Sequence, residues 1–312
     1  MYKPQRQNAT KTHIQVSRTG KLEIPTCGIP AGGSTTKAST NEIQDKTIQN
    51  LPGFVQNNSS TKPIIDEEII PVNKSAGRLS FFIERWKSIT SDRYILNCLK
   101  GYRIPFIETP IQKSVPKEKT FSAKESEKIQ LEINELLKKG AIEKCKDCEG
   151  QFLSSYFLVP KPGGTNRFIF NLKKLNNFIN PPHFKLEDIR SAMSLISQGS
   201  FMGSLDLKDA YFLVPIYEGH RKFLRFKFKG KTFQFLCLPF GLCTSPYVFT
   251  KIMKSVVSKL RLQGIVLVLY LDDFLFIHKS KIICEENIKK AIDILKYLGF
   301  IINYQKKKFF SV

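Results

Sequence analysis

The chain has 312 residues, 42% of them hydrophobic and 24% charged, the length of about two domains with enough apolar side chains for a sizeable core. Its 49 Lys and Arg against 27 Asp and Glu leave a net charge of +22, which favours a polyanionic partner over solubility alone. The longest apolar run, residues 265–271, is far too short to span a bilayer. The polar N-terminus shows no signal peptide, and seven irregularly spaced cysteines argue against a disulfide framework and for a reducing, intracellular compartment.

Along the chain, residues 1–75 are rich in Thr, Asn, Gln, Ser, Gly and Pro and carry a net charge of only +3. This composition predicts a disordered polar tail, so the remaining +19 belongs to the region that folds. Residues 76–120 are expected to form a helical and extended arm. Apolar residues from Leu79 to Trp86 have helical spacing, and Pro105, Pro110 and Pro116 prevent a helix after it. A helix is predicted from Ser122, where Ser122 and Glu125 form the S-x-x-E capping box. Its apolar face is Ile129, Ile133, Leu136 and Leu137, and Gly140 is its terminator.

Strands dominate from residue 141. Residues 152–159 and 167–172 read as a hairpin around Lys161-Pro162-Gly163-Gly164. A short amphipathic helix follows over 187–196, and an apolar strand over 201–207. Residues 223–228 and 231–238 alternate around Gly230 as a second hairpin. Ser245-Pro246 opens a helix to about residue 262. Strands over 265–270 and 274–277 flank Asp272-Asp273, and a last helix runs over 285–298 to Gly299. The order strand–helix–strand–strand–helix–strand is that of a ferredoxin-like α+β unit. Cys145 and Cys148 have metal-ligand spacing, but no second Cys or His pair follows, and two loop thiols are expected. His13, His183, His220 and His278 form no ligand pattern.

Asp272-Asp273 is the feature that asks for chemistry. Alone, the pair reads as a solvated hairpin turn. Asp206 ends another apolar strand, however, and if both segments share a sheet, the carboxylates meet at one rim. Clustered carboxylates repel unless a cation neutralises them. Hard divalent cations take carboxylate and phosphate oxygens, and a pair of them stabilises both oxygens of a displacement at phosphorus.

Four segments in order then carry a resemblance. Leu205-Asp206-Leu207-Lys208-Asp209-Ala210-Tyr211-Phe212 resembles motif A of reverse transcriptases. Leu238-Pro239-Phe240-Gly241-Leu242 with Ser245-Pro246 and Phe249 resembles motif B. Tyr270-Leu271-Asp272-Asp273 resembles motif C, the Y-x-D-D box. Val159-Pro160-Lys161-Pro162-Gly163-Gly164-Thr165-Asn166-Arg167-Phe168, followed by Leu175-Asn176, resembles the fingers hairpin. The motif B and C wording is similar to gypsy and DIRS retrotransposons, and Gly77-Arg78-Leu79, Trp86 and residues 100–106 look most like the DIRS type.

The resemblance implies a right-hand polymerase fold over 121–312, with fingers and a ferredoxin-like palm but no complete thumb. It implies an RNA-directed DNA polymerase module of a retrotransposon polyprotein, acting on an RNA or DNA template with primer and on deoxynucleoside triphosphates. It makes Asp206, Asp272 and Asp273 the carboxylates that hold two Mg²⁺ ions (or Mn²⁺), with the Leu207 carbonyl as a further metal contact. Tyr211 becomes the ring that excludes a 2′-hydroxyl. Lys161 and Arg167 clamp the triphosphate, the N–H groups of Asp209 and Ala210 donate to it, and Phe240 packs beside the nucleotide or in the core. One of Lys306, Lys307 and Lys308 matches a family proton donor, although a charged terminal tail is the plainer expectation. The rival reading is a nucleic-acid-binding relic without turnover; a purely structural protein needs no carboxylate cluster.

Overall fold

The computed structural model describes residues 75–160, 166–187 and 189–311. The predicted tail, apart from Ser75, and the turn holding Lys161 lie outside the described residues. Among the described residues no helix is long and apolar enough to cross a membrane.

A 3-10 turn, Arg78–Phe82, runs into α1 (Ile83–Lys87), and α2 spans Arg93–Gly101. The expected helical and extended arm over 76–120 contains α2, but no residues were assigned to it from sequence. At nine residues it is too short for its periodicity to stand out, yet Asp92 caps it by accepting from the Tyr94 N–H at 2.8 Å, and Ile95, Cys98 and Leu99 are buried. An extended stretch then leads to α3 (Ala123–Lys138), where both halves of the Ser122–Glu125 capping box form and Ile129, Ile133 and Leu136 face inward.

Strand β1 (Ile142–Cys145) precedes β2 (Ser155–Pro160) and β3 (Asn166–Asn171), which pair antiparallel as the expected hairpin. Short helices α4 (Lys173–Asn176) and α5 (Ile189–Leu195) lead to β4 (Phe201–Asp206). A 3-10 turn (Ala210–Leu213) and α6 (Glu218–Arg221) follow. β5 (Arg225–Phe228) and β6 (Lys231–Phe235) form the second hairpin, whose two-residue loop has φ of 50° at Lys229 and 68° at Gly230. Two left-handed residues in a two-residue loop suit the twist of the flanking strands. β6 also pairs with β1, so this sheet runs β1-β6-β5.

The chain returns through α7 (Ser245–Arg261), β7 (Leu267–Tyr270), β8 (Asp273–His278) and α8 (Lys281–Tyr297). α8 starts earlier than its apolar pattern suggests, because Ser280 caps it by accepting from the Ile283 N–H. The last strand, β9 (Lys308–Ser311), corrects the expectation of a charged tail: it pairs with β4 from Phe201↔Ser311 to Ser204↔Lys308. Its side chains are all exposed, so it lacks the apolar alternation that announces a strand.

The resulting sheet is antiparallel, in the order β7-β8-β4-β9. With β4-α7-β7-β8-α8-β9 in chain order, this is the ferredoxin-like arrangement expected from sequence. α7 and α8 pack against the sheet and each other, burying Val248, Phe249, Ile252, Met253 and Val256 from one helix and Ile288, Ala291, Ile292 and Leu295 from the other. Gly203 in β4 makes the close approach of α8 possible, since a Cβ there would collide with Ile288.

Candidate active site

The register of β4 and β8 creates the site. Asp206, the last residue of β4, stands opposite Asp273, the first of β8. Directly opposed residues in an antiparallel pair project on the same face with Cβ atoms about 4.5–5.5 Å apart. Asp272 lies on the two-residue turn between Tyr270 and Asp273. All three acids therefore gather at one rim of one sheet. The turn itself is strained: Leu271 has φ of 57°, a region in which a bulky side chain costs about 1–3 kcal/mol.

The electrostatics follow from the crowding. Desolvation, contact with the Asp206 carboxylate and repulsion from Asp272 push the Asp273 carboxyl up to about 6. The Asp272 carboxyl is also raised, first by burial and then by Asp206. Asp206 is buried and held by the segment between α8 and β9, which includes a 3-10 turn over Tyr304–Lys306. Asn303 donates its backbone N–H to the Asp206 carbonyl at 2.9 Å and its Nδ2 to Oδ2 at 2.7 Å. Lys306 Nζ reaches Oδ1 at 3.1 Å, and this bond raises the lysine's own pKa. Of the three candidate lysines, Lys306 is thus the one placed at the acidic rim, while Lys308 begins β9.

Among the described residues, no group of three or more His, Cys, Asp or Glu side chains is already gathered around a metal-sized gap. The donor set nevertheless fits a hard divalent cation. It is all oxygen, and burial first, then the neighbouring carboxylates, make Asp272 and Asp273 hold their protons more tightly than usual. Mg²⁺ commonly uses only one or two carboxylates, completed by substrate phosphates and water. Leu207 follows on the same rim, donating its N–H to the Asp272 carbonyl at 3.3 Å. Cys148 accepts from Arg225 Nη1 at 3.0 Å.

Tyr211 lies beside the acids. Its hydroxyl is pushed up to about 12 by burial and by the nearby Asp272 and Tyr270. Its ring packs 4.9 Å from Phe240 and 5.4 Å from Phe249. Phe240 is 49% exposed, so it presents its ring at the surface of the site and is not a core residue. Gly241, with φ of 102°, carries the chain past the Phe170 carbonyl, where a Cβ would collide. Asn176 clasps this loop, donating to the Gly241 carbonyl at 2.9 Å and accepting from the Cys243 N–H at 3.1 Å.

Asp209 has φ of 54° and precedes the 3-10 turn that contains Ala210 and Tyr211. Its carboxylate pairs with Lys139 Nζ at 2.7 Å. Arg167 is exposed on β3 opposite Val159, with no ion pair among the described residues. Sequence reasoning missed Asn303 and Lys139, and it singled out Asn176 only as part of the fingers motif, without its role as the clasp of the Gly241 loop. Asn303 lies 97 residues from Asp206, and the one local signal was a polar side chain interrupting the apolar stretch after Gly299.

A ferredoxin-like palm with an acidic rim, joined to a β-hairpin finger, is the architecture of right-hand polymerases. The fold is similar to that of the native prototype foamy virus protease–reverse transcriptase, with a TM-score of 0.56 and 22% identity over 66% of this chain and 27% of that one. It is equally similar to the foamy viral protease–reverse transcriptase in complex with an RNA/DNA hybrid, with a TM-score of 0.56 and 21% identity over 65% of this chain and 27% of that one. Residues 159–312 match the family described as reverse transcriptase (RNA-dependent DNA polymerase). Transposon Tf2-3 polyprotein of Schizosaccharomyces pombe is 30% identical over 178 residues, which are 57% of this chain and 13% of that protein. Tf2-7 polyprotein of the same organism is 29% identical over the same lengths. The chain thus spans about an eighth of the curated relatives it matches.

Proposed function

We propose that this chain forms the polymerising centre of a retrotransposon reverse transcriptase, which adds deoxynucleotides to a primer 3′ end on an RNA or DNA template. The observation that carries the reading is the placement of Asp206 opposite Asp273, with Asp272 on the adjoining turn and the Tyr211 ring beside it. Fingers and palm occupy residues 121–312, behind an arm over 76–120 and a tail over 1–75. The rest of a polyprotein is a natural partner, and the setting is intracellular.

Asp206, Asp272 and Asp273 would hold the divalent cations, Mg²⁺ or Mn²⁺. Bound there, such ions supply charge neutralisation at the attacking 3′-oxygen and at the leaving pyrophosphate. The protein's own groups do the rest. Tyr211 walls the position of the sugar and excludes a 2′-hydroxyl by bulk. Phe240 packs against that wall. The N–H groups of Asp209 and Ala210, with Arg167 and Lys161, meet the triphosphate. Lys306, released from Asp206, is available to give a proton to pyrophosphate.

The second reading, a nucleic-acid-binding chain without turnover, draws on one observation: both Asp206 oxygens already have protein donors. Deoxynucleotide incorporation into a primer annealed to RNA, measured with and without Mg²⁺ and with a thumb region supplied in trans or in cis, decides between them. Mg²⁺-dependent extension supports the polymerase. Salt-sensitive binding with no extension supports the second reading.

A further inference from the structure

The segment before the fingers, outside residues 159–312, makes contacts that the family match does not account for. A helix leaves its last carbonyls without intrahelical partners. At the end of α8, three successive carbonyls receive donors from one short stretch of chain. Arg85 Nη1 donates to the Tyr297 carbonyl at 3.1 Å, Trp86 Nε1 to Leu298 at 3.0 Å, and Arg78 Nε to Gly299 at 3.1 Å. Two of the donors are cations, which also suit the negative end of the helix dipole. The Arg85 guanidinium lies over the rings of Phe82 and Tyr297, 5.0 and 5.1 Å from their centroids. Phe82 fills the space where a side chain at residue 299 would go, and Gly299 has φ of 94°.

The clasp matters because of the residues just beyond Gly299. Four residues on, Asn303 bonds Asp206 through backbone and side chain, and three further on, Lys306 reaches the same carboxylate. Between Gly299 and Asn303, the Ile301 carbonyl accepts from the Lys208 N–H at 2.8 Å. The clasp thus fixes one end of the segment whose other end grips the acidic rim. Trp86 is completely buried and reaches the site by a second route. Its ring meets Phe300 at 5.8 Å, Phe300 meets Phe249 at 6.5 Å, and Phe249 meets Tyr211 at 5.4 Å. At its other end the same segment is tied to the turn holding Tyr211, because Gly77 donates its N–H to the Phe212 carbonyl at 2.8 Å.

We infer that Arg78, Arg85 and Trp86 are positioning residues: through the carbonyls at the end of α8 they set the segment that delivers Asn303 and Lys306 to Asp206. Any effect on turnover rests on the polymerase reading, but the placement of Lys306 does not, so it is tested without activity. Trp86→Phe keeps the ring against Phe300 and removes only the donor to Leu298. Lys87→Ala, on the same helix but outside the clasp, is the control. The whole chain is treated briefly with an amine-acylating reagent, and modification of each lysine is read by mass spectrometry.

Trp86→Phe is expected to raise acylation of Lys306 roughly two- to fivefold, the scale of losing an exposed ion pair. Lys289, Lys290 and Lys308 should stay unchanged. Gly299→Ala, which pushes on Phe82 from the other side, should give the same local rise, and Arg78→Gln provides the test if either variant fails to fold. In an extension assay, Trp86→Phe should lower kcat with little change in nucleotide KM, and its effect should vanish in a Lys306→Ala background. Unchanged Lys306 reactivity in the folded variants would overturn the inference. So would an equal rise at every lysine, which would mark a general loosening.

Discussion

Asp273→Asn isolates the electrostatic cost of the acidic rim. An ordinary Asp carboxyl near 3.8 is raised here to about 6, a gross penalty on the ionised form of about 3 kcal/mol. Asp273 is exposed, so water screens much of that, and about 1 kcal/mol is the expected net. The sign follows from proton linkage. Between pH 4 and 6 the folded chain keeps a proton that the unfolded chain releases, so stability falls as pH rises through that window. Asn cannot ionise, so the variant should be more stable than wild type above pH 6, by roughly 2–4 °C for a chain of this size. The difference should close below about pH 4, where the wild-type carboxyl is protonated in both states. Thermal unfolding of both proteins in metal-free buffers from pH 4 to 8 reads this directly. A difference that does not change with pH, or a variant less stable at pH 7, would refute the claim that burial and crowding with Asp206 and Asp272 hold a proton on Asp273.

Two further substitutions probe the neighbouring surfaces. Tyr211→Val should let ribonucleotides compete, narrowing the deoxy-to-ribo preference by about 10–200-fold, the range for a pocket contact of this size. Tyr211→Phe should keep that preference, and an unchanged ratio in the Val variant would remove the ring from the sugar wall. Gly241→Ala places a methyl group against the Phe170 carbonyl at a φ of 102°, and should cost at least about 2 kcal/mol. Denaturant unfolding checks this, and a cost near zero would show that the loop clasped by Asn176 can move away freely.

Much of this was legible in the sequence because local chemistry and fold agree there. The Ser122–Glu125 box, the loop at Gly230 and Pro246 at the start of α7 are short-range signals, and each element formed where its signal stood. Asp206 and Asp272-Asp273 were conspicuous for being acids at the ends of apolar strands. What stayed hidden depends on partners distant in the chain. α2 is short and stabilised by burial of Ile95, Cys98 and Leu99. β9 exists because β4 offers an open edge, not because its own residues alternate. Lys306 could not be told from Lys307 and Lys308 until the segment after Gly299 was placed against Asp206. Asn303, Asn176 and Lys139 do their work over separations of 97, 67 and 70 residues, and no local pattern announces such pairs.

The most direct test of the polymerase reading is to separate binding from turnover in one substitution, Asp272→Asn. Wild type and variant are titrated onto a primer annealed to an RNA template, and both are assayed for Mg²⁺-dependent extension with a thumb region supplied. The +19 charge of residues 76–312 should bind the nucleic acid through its phosphates in both proteins, with affinity falling steeply as salt rises. Near-equal binding is predicted, with extension by the wild type and none by the variant, since the turn acid serves the cations and not the backbone of the nucleic acid. Extension that survives in Asp272→Asn, or a wild type that binds but never extends, would contradict the polymerase reading.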